Sequence, residues 1–171
     1  MSARVRMAAA LVVALSALAG MVLLVVHIRS DENDTGRLGF AATSPAGAPF
    51  GEFTQTHVAV GSRCLHVLVA LSPTERNQGL REVTSIAPYD GMLFVTPGDT
   101  NEQFTMADTV MPLAITFFSA RGVPLDDQQM TPCPHGSDAT CPAYVSKKAY
   151  RYALERPAGA ASASGALGAC G

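Results

Sequence analysis

Residues 91–118 read GMLFVTPGDTNEQFTMADTVMPLAITFF. Two apolar runs, Leu93-Phe94-Val95 and Ile115-Thr116-Phe117-Phe118, hold the β-branched and aromatic residues that suit a pleated, half-buried surface. The turn chemistry of Pro97-Gly98-Asp99 follows the first run, and Pro112 interrupts the approach to the second. The stretch therefore predicts a strand over Gly91–Thr96, a short segment about Glu102–Met106, and a strand over Leu113–Ser119. Its centre, Phe104-Thr105-Met106-Ala107-Asp108-Thr109, sets a carboxylate and a hydroxyl in apolar surroundings, which is where a site is expected.

Upstream, Thr56–Val60 and Cys64–Leu71 alternate and flank Gly61-Ser62, the pattern of a hairpin. Val58 and Val60 are expected to share a face with Leu65, Val67, Val69 and Leu71. Ser72-Pro73-Thr74-Glu75 is a capping box: Ser72 caps, Pro73 suits the first helical position, and Glu75 reaches back to the Ser72 amide. The helix it opens runs from Pro73 to about Leu80 and ends near Gly79. Downstream come a turn at Ala120-Arg121-Gly122, a weaker strand Val123–Gln129, and a Pro-rich loop Thr131–Ser146. A strand Tyr150–Glu155 and a modest small-residue helix Ala158–Leu167 complete the pattern. Many short strands and two short helices predict a β-rich α+β domain over residues 54–171, a small curled sheet or open barrel.

The residues before it differ in kind. Residues 1–29 contain Arg4 and Arg6 ahead of an apolar run Met7–Val26, about 30 Å as a helix, the thickness of a bilayer core. An uncleaved membrane anchor is the favoured reading, with the domain outside. The rival is a signal peptide cleaved after Ala17-Leu18-Ala19, but Met21–Val26 continues the apolar run past that point. Residues 30–53, acidic and then rich in Gly, Ala, Pro and Ser, read as a tether in which Phe40 and Phe50 are isolated.

Composition limits the function classes. In 171 residues the formal charge is −2 and only 15% of residues are charged, so no basic surface predicts nucleic acid as a partner. Expected partners are the membrane, through Met7–Val26, and an envelope protein or a small-molecule ligand. No H-x-x-x-H, C-x-x-C or HExxH spacing occurs, nor a G-x-S-x-G elbow or phosphate loop, so no metal, cofactor or catalytic residue is predicted. His57 and His66 lie on the hairpin in a register that brings them near each other.

An ordered set of short motifs resembles a known family. Glu75-Arg76-x-x-Gly79-Leu80, Gly91-Met92-Leu93-Phe94-Val95 and Phe104-x-Met106-x-x-Thr109-x-x-Pro112-Leu113-x-Ile115-x-Phe117 follow one another as in the domain of unknown function one-nine-two. The resemblance covers about Val67 to Leu167 and implies a compact β-rich fold, usually exported or membrane-tethered; it implies no established activity. The family's centre typically reads Phe-Trp-Met-Lys-Asn-Thr and then Pro-Leu-Asp-Ile. Here Thr105, Ala107, Asp108 and Ala114 replace the Trp, Lys, Asn and Asp, and Arg81 stands where Met is usual.

Arg76, Phe104, Met106, Asp108 and Thr109 are the candidate ligand-binding residues, Arg76 because its planar fork suits a carboxylate or phosphate. Each has a plainer role: Ser72 and Glu75 explain each other as caps, and Asp108 suits a turn that bonds its own backbone. Met92, Met106 and Met111 sit in apolar runs and read as core rather than as soft-metal ligands. Four cysteines in an exported domain predict disulfides, Cys133 with Cys141 inside one loop and Cys64 with Cys170 clipping the tail to the hairpin. Chain entropy assigns these about 2.5 and about 4.8 kcal/mol as upper values. The expected function is a non-catalytic, membrane-tethered binding or accessory module outside the cytoplasm. The alternatives are a small hydrolase-like envelope enzyme using Asp108 and Glu75, and a redox protein using Cys133 and Cys141.

Overall fold

A computed structural model of the chain describes Leu38, Phe40, residues 43–160 and residues 164–171. The expected membrane segment Met7–Val26 lies outside the described residues, among which no helix is long and apolar enough to cross a membrane. The strands are β1 (Ser44–Pro45), β2 (Thr54–Val60), β3 (Arg63–Ala70), β4 (Gly91–Thr100), β5 (Phe104–Thr105), β6 (Leu113–Phe118), β7 (Pro124–Met130), β8 (Ala143–Tyr144), β9 (Tyr150–Pro157) and β10 (Leu167–Gly168). One helix, α1 (Pro73–Gln78), lies between β3 and β4.

Eight strands form an open, mixed sheet in the order β1-β2-β3-β4-β9-β6-β7, with β10 also paired to β2, while β5 and β8 pair separately. The hairpin register is the expected one, Val58 opposite Leu65 and His57 opposite His66. β3 and β4 run parallel, which requires a crossover, and the chain segment containing α1 supplies it. The capping box forms with all its bonds: Ser72 Oγ accepts from the Glu75 amide at 3.1 Å, and Glu75 Oε2 accepts from the Ser72 and Leu71 amides at 2.7 and 2.8 Å. Gly79 ends the helix at φ 49°, a conformation with little penalty for glycine.

The central strands bury both faces. Along β4, Met92 and Phe94 join one apolar cluster with Leu68, Ile115, Phe117 and Ala153, while Leu93 and Val95 join another with Val58, Val67, Tyr152 and Leu154. A period of two divided between two cores explains why these strands read as nearly continuous apolar runs. Gly91 lets β4 approach β9 closely, since a Cβ there would lie 2.4 Å from the Glu155 carbonyl oxygen.

Four local expectations are corrected. The ordered domain begins before Thr54: β1 pairs with β2, and Phe50 and Phe53 are buried in the larger core. Each buried ring contributes about 1.5–3 kcal/mol, enough to order a Gly- and Pro-rich stretch that has no periodic pattern. Pro97-Gly98-Asp99 is a bulge inside the ten-residue β4, where the register with β9 shifts between Val95 and Thr100. Leu71 falls beyond β3 and is exposed instead of joining the shared face. The second helix is not formed in the described part of Ala158–Leu167. Gly159 and Gly165 have φ of 85° and 124°, which interrupts helical geometry, and Leu167 enters β10. That last segment crosses two glycine turns: Gly61 N donates to Ala166 O, and Leu167 N donates to Gly122 O at 2.8 Å.

Candidate functional site

Both expected disulfides are present, Cys64–Cys170 and Cys133–Cys141. The first clips the strand-forming tail to β3. The second closes the loop after β7, and a Cβ on Gly136 would collide with both of its sulfur atoms. Two such bonds suit an oxidising, extracytoplasmic compartment.

A cavity of about 300 Å³ opens between α1, β4, the Glu102–Thr105 segment and β9. Local folding sets its walls. The cap fixes the start of α1, so Arg76 in its last turn lies over β4, where its Nη1 donates to the carbonyls of Leu71 and, at 3.3 Å, Val95. Its Nη2 and Nε have no hydrogen-bond partner among the described residues. β5 presents Phe104, whose ring stands edge-on to Phe94 with centroids 5.0 Å apart and contacts Tyr150 at 6.1 Å. Tyr150 donates to the Glu102 carbonyl at 3.0 Å, and burial pushes its hydroxyl pKa upward.

Arg81 braces one side. Its Nη1 donates to Ala107 O at 2.9 Å, its Nε to Asn77 O at 3.1 Å, and its Nη2 pairs with Asp138 at 2.8 Å. Thr105 Oγ1 donates to the same Asp138 oxygen at 2.6 Å. The Thr105 hydroxyl and the Arg81 guanidinium hold the Asp138 carboxyl below its ordinary pKa.

Glu155 also lines this cavity, and it is the feature sequence reasoning missed. It is 4% exposed and sits opposite Met92 of β4 and Ile115 of β6, both fully buried. Alternation along β9 puts it on the face of Ala153, the inward face of the larger core. No group among the described residues hydrogen-bonds or ion-pairs with its carboxyl. Burial alone pushes its pKa from 4.5 up to about 8, so at neutral pH it is mostly a neutral acid. Alternation over Tyr150–Glu155 sets it opposite to Tyr152 and Leu154, so the sequence carried no signal of its burial.

Of the five candidate ligand-binding residues, Arg76, Phe104 and Thr109 line the cavity. Met106 is fully buried in the core. Asp108 does not line the cavity: it occupies a left-handed turn at φ 55°, its side chain is half exposed, and it lies 3.7 Å from Arg81. Glu75 is occupied by the two amides it caps. Asp108 and Glu75 therefore do not form a carboxylate pair in this cavity. His57 and His66 do meet, their rings stacked at 4.6 Å, with His66 Nε2 bonded to Gln55 at 2.9 Å.

Comparison with known proteins agrees with this architecture. The sequence model of the DUF192 family, described as an uncharacterized ACR, matches residues 55–167. A crystal structure of a protein of unknown function from Novosphingobium aromaticivorans is similar at a TM-score of 0.58 and 19% identity, covering 72% of this chain and 85% of that one. A second, from Sinorhizobium meliloti and named a candidate transcription regulator, is similar at 0.54 and 27% identity, covering 63% and 83%. No curated protein matches this chain.

Proposed function

This chain belongs to the DUF192 family, and we propose that it is a non-catalytic binding module outside the cytoplasm, tethered to the membrane through Met7–Val26. Its ligand is a small polar molecule seated in the cavity beside Arg76, Phe104 and Thr109. The observation that carries this reading is the cavity itself: about 300 Å³ with aromatic walls, polar groups and the Glu155 carboxyl opening onto it. Pockets of this size and character are where small ligands bind. The tether's role is to concentrate the module beside an envelope protein, the partner to which it presents or from which it takes the ligand.

A thermal-shift screen of small polar molecules against the full-length chain in detergent micelles tests the proposal. Hits are expected to raise the melting temperature of the wild type and to lose that effect in Thr105→Trp, where an indole occupies the cavity. Hits that stabilise both proteins equally contradict it.

A further inference from the structure

The cavity's fixed charges narrow the ligand. Arg76, Arg81, Glu102, Asp138, Tyr150 and Glu155 are its charged or titratable groups. Arg81 is taken up by two backbone carbonyls and by Asp138, and Tyr150 by the Glu102 carbonyl. Three groups retain hydrogen-bonding capacity: the Arg76 guanidinium as a donor, and the carboxyls of Glu102, exposed at the rim, and Glu155, set in the core. The free edge of the Arg76 guanidinium offers donors to an acceptor. The Glu155 carboxyl lies between Met92 and Ile115, where no protein donor among the described residues reaches it. Phe94, Phe104 and Tyr150 supply apolar surface, and their ring faces also attract a cation. With two arginines set against Glu102 and Asp138, the cavity has no surplus of positive charge to favour a phosphate or another polyanion.

Resting on the binding reading above, we propose that the ligand is a small zwitterion of amino-acid size with an apolar body. Its ammonium group meets Glu155 and its carboxylate meets Arg76. Charge-assisted bonds at both ends are the strongest the two groups can form. The ammonium stabilises the ionised carboxylate, so the Glu155 proton leaves to the solvent as the ion pair forms. The complex therefore holds one ammonium and one carboxylate, and the buffer gains the proton. Because burial keeps the unliganded carboxyl largely protonated at neutral pH, close to one proton per ligand is released at pH 7.

Isothermal titration of the full-length chain in micelles, in phosphate and in Tris, counts that proton from the difference in apparent enthalpy. The probes are L-phenylalanine, 3-phenylpropanoate, 2-phenylethylamine and D-glucose. L-Phenylalanine is expected to bind about tenfold or more tightly than either analogue lacking one charged end, with release of nearly one proton. In Glu155→Gln the release disappears and the preference over 3-phenylpropanoate is lost. Phenylalanine that fails to bind, binds without proton release, or binds Glu155→Gln equally well overturns the proposal. Binding of D-glucose alone, blocked in Thr105→Trp, overturns the ligand class while leaving the binding cavity standing. A broad screen with no hit sensitive to Thr105→Trp removes both.

Discussion

Replacing Glu155 with Gln should stabilise the unliganded protein, by an amount that grows with pH. In the unfolded chain the carboxyl titrates at 4.5; in the fold burial raises this to about 8. Between those values the native state holds one proton more than the unfolded state, so stability falls as pH rises through the window. The wild type carries its full contribution below 4.5 and loses it progressively up to about pH 8. At pH 7 the accumulated loss is about 3 kcal/mol from the two titration curves, and at pH 4 it is close to zero. Glutamine has nearly the same shape and cannot ionise. Urea unfolding of both proteins, followed by circular dichroism from pH 4 to pH 8, should therefore give equal stabilities at the acid end. The variant should be more stable by about 3 kcal/mol at pH 7. A difference that stays constant with pH, or a wild type that gains on the variant as pH rises, would refute the claim that this carboxyl is buried without a partner.

Three further outcomes are expected. Asp108→Asn should leave the melting temperature nearly unchanged, because Asn also tolerates the left-handed turn and the Arg81 contact it gives up is half exposed; Asp108→Ala, strained at that φ, should cost about 1 kcal/mol in a denaturant melt. Removing the long clip with Cys64→Ser and Cys170→Ser should cost about 2–4 kcal/mol, read as a lower urea midpoint, and non-reducing peptide mapping of the wild type should show Cys64–Cys170 and Cys133–Cys141 peptides. Gly91→Ala should cost about 1–3 kcal/mol, because the new methyl group meets the Glu155 carbonyl at 2.4 Å and separates β4 from β9.

The hairpin, the capping box and the strands of the central sheet were legible because each is specified within a few residues. Gly61-Ser62 lies between alternating runs, and Ser72 and Glu75 satisfy each other's backbone. Phe50 and Phe53 were not legible: two rings in a Gly- and Pro-rich stretch carry no period, and only the assembled core gives them a place. Pro97-Gly98 has the chemistry of a turn and of a bulge alike, and pairing with β9 decides between them. The site was half visible. Phe104 and Thr109 stood out in a conspicuous segment, and Arg76 stood out in the capped helix. Asp108 drew attention as an isolated carboxylate but sits in a left-handed turn outside the cavity lining. Glu155 was passed over because a charge closing an apolar strand resembles the strand's exit to solvent. Its burial depends on β4 and β6 lying on either side, a tertiary fact.

The measurement that bears most directly on the cavity is a crystal structure of the chain with a hit from the thermal-shift screen. Ligand density is expected between the Arg76 guanidinium and the Glu155 carboxyl, against the Phe104 ring. Two other surface depressions offer a clear contrast, one lined by Ile86, Tyr89, Met111 and Pro112 and the other by Phe50, Glu52 and Val83. A ligand found in either of them, with the Glu155 cavity empty, would show that this cavity is not the binding site.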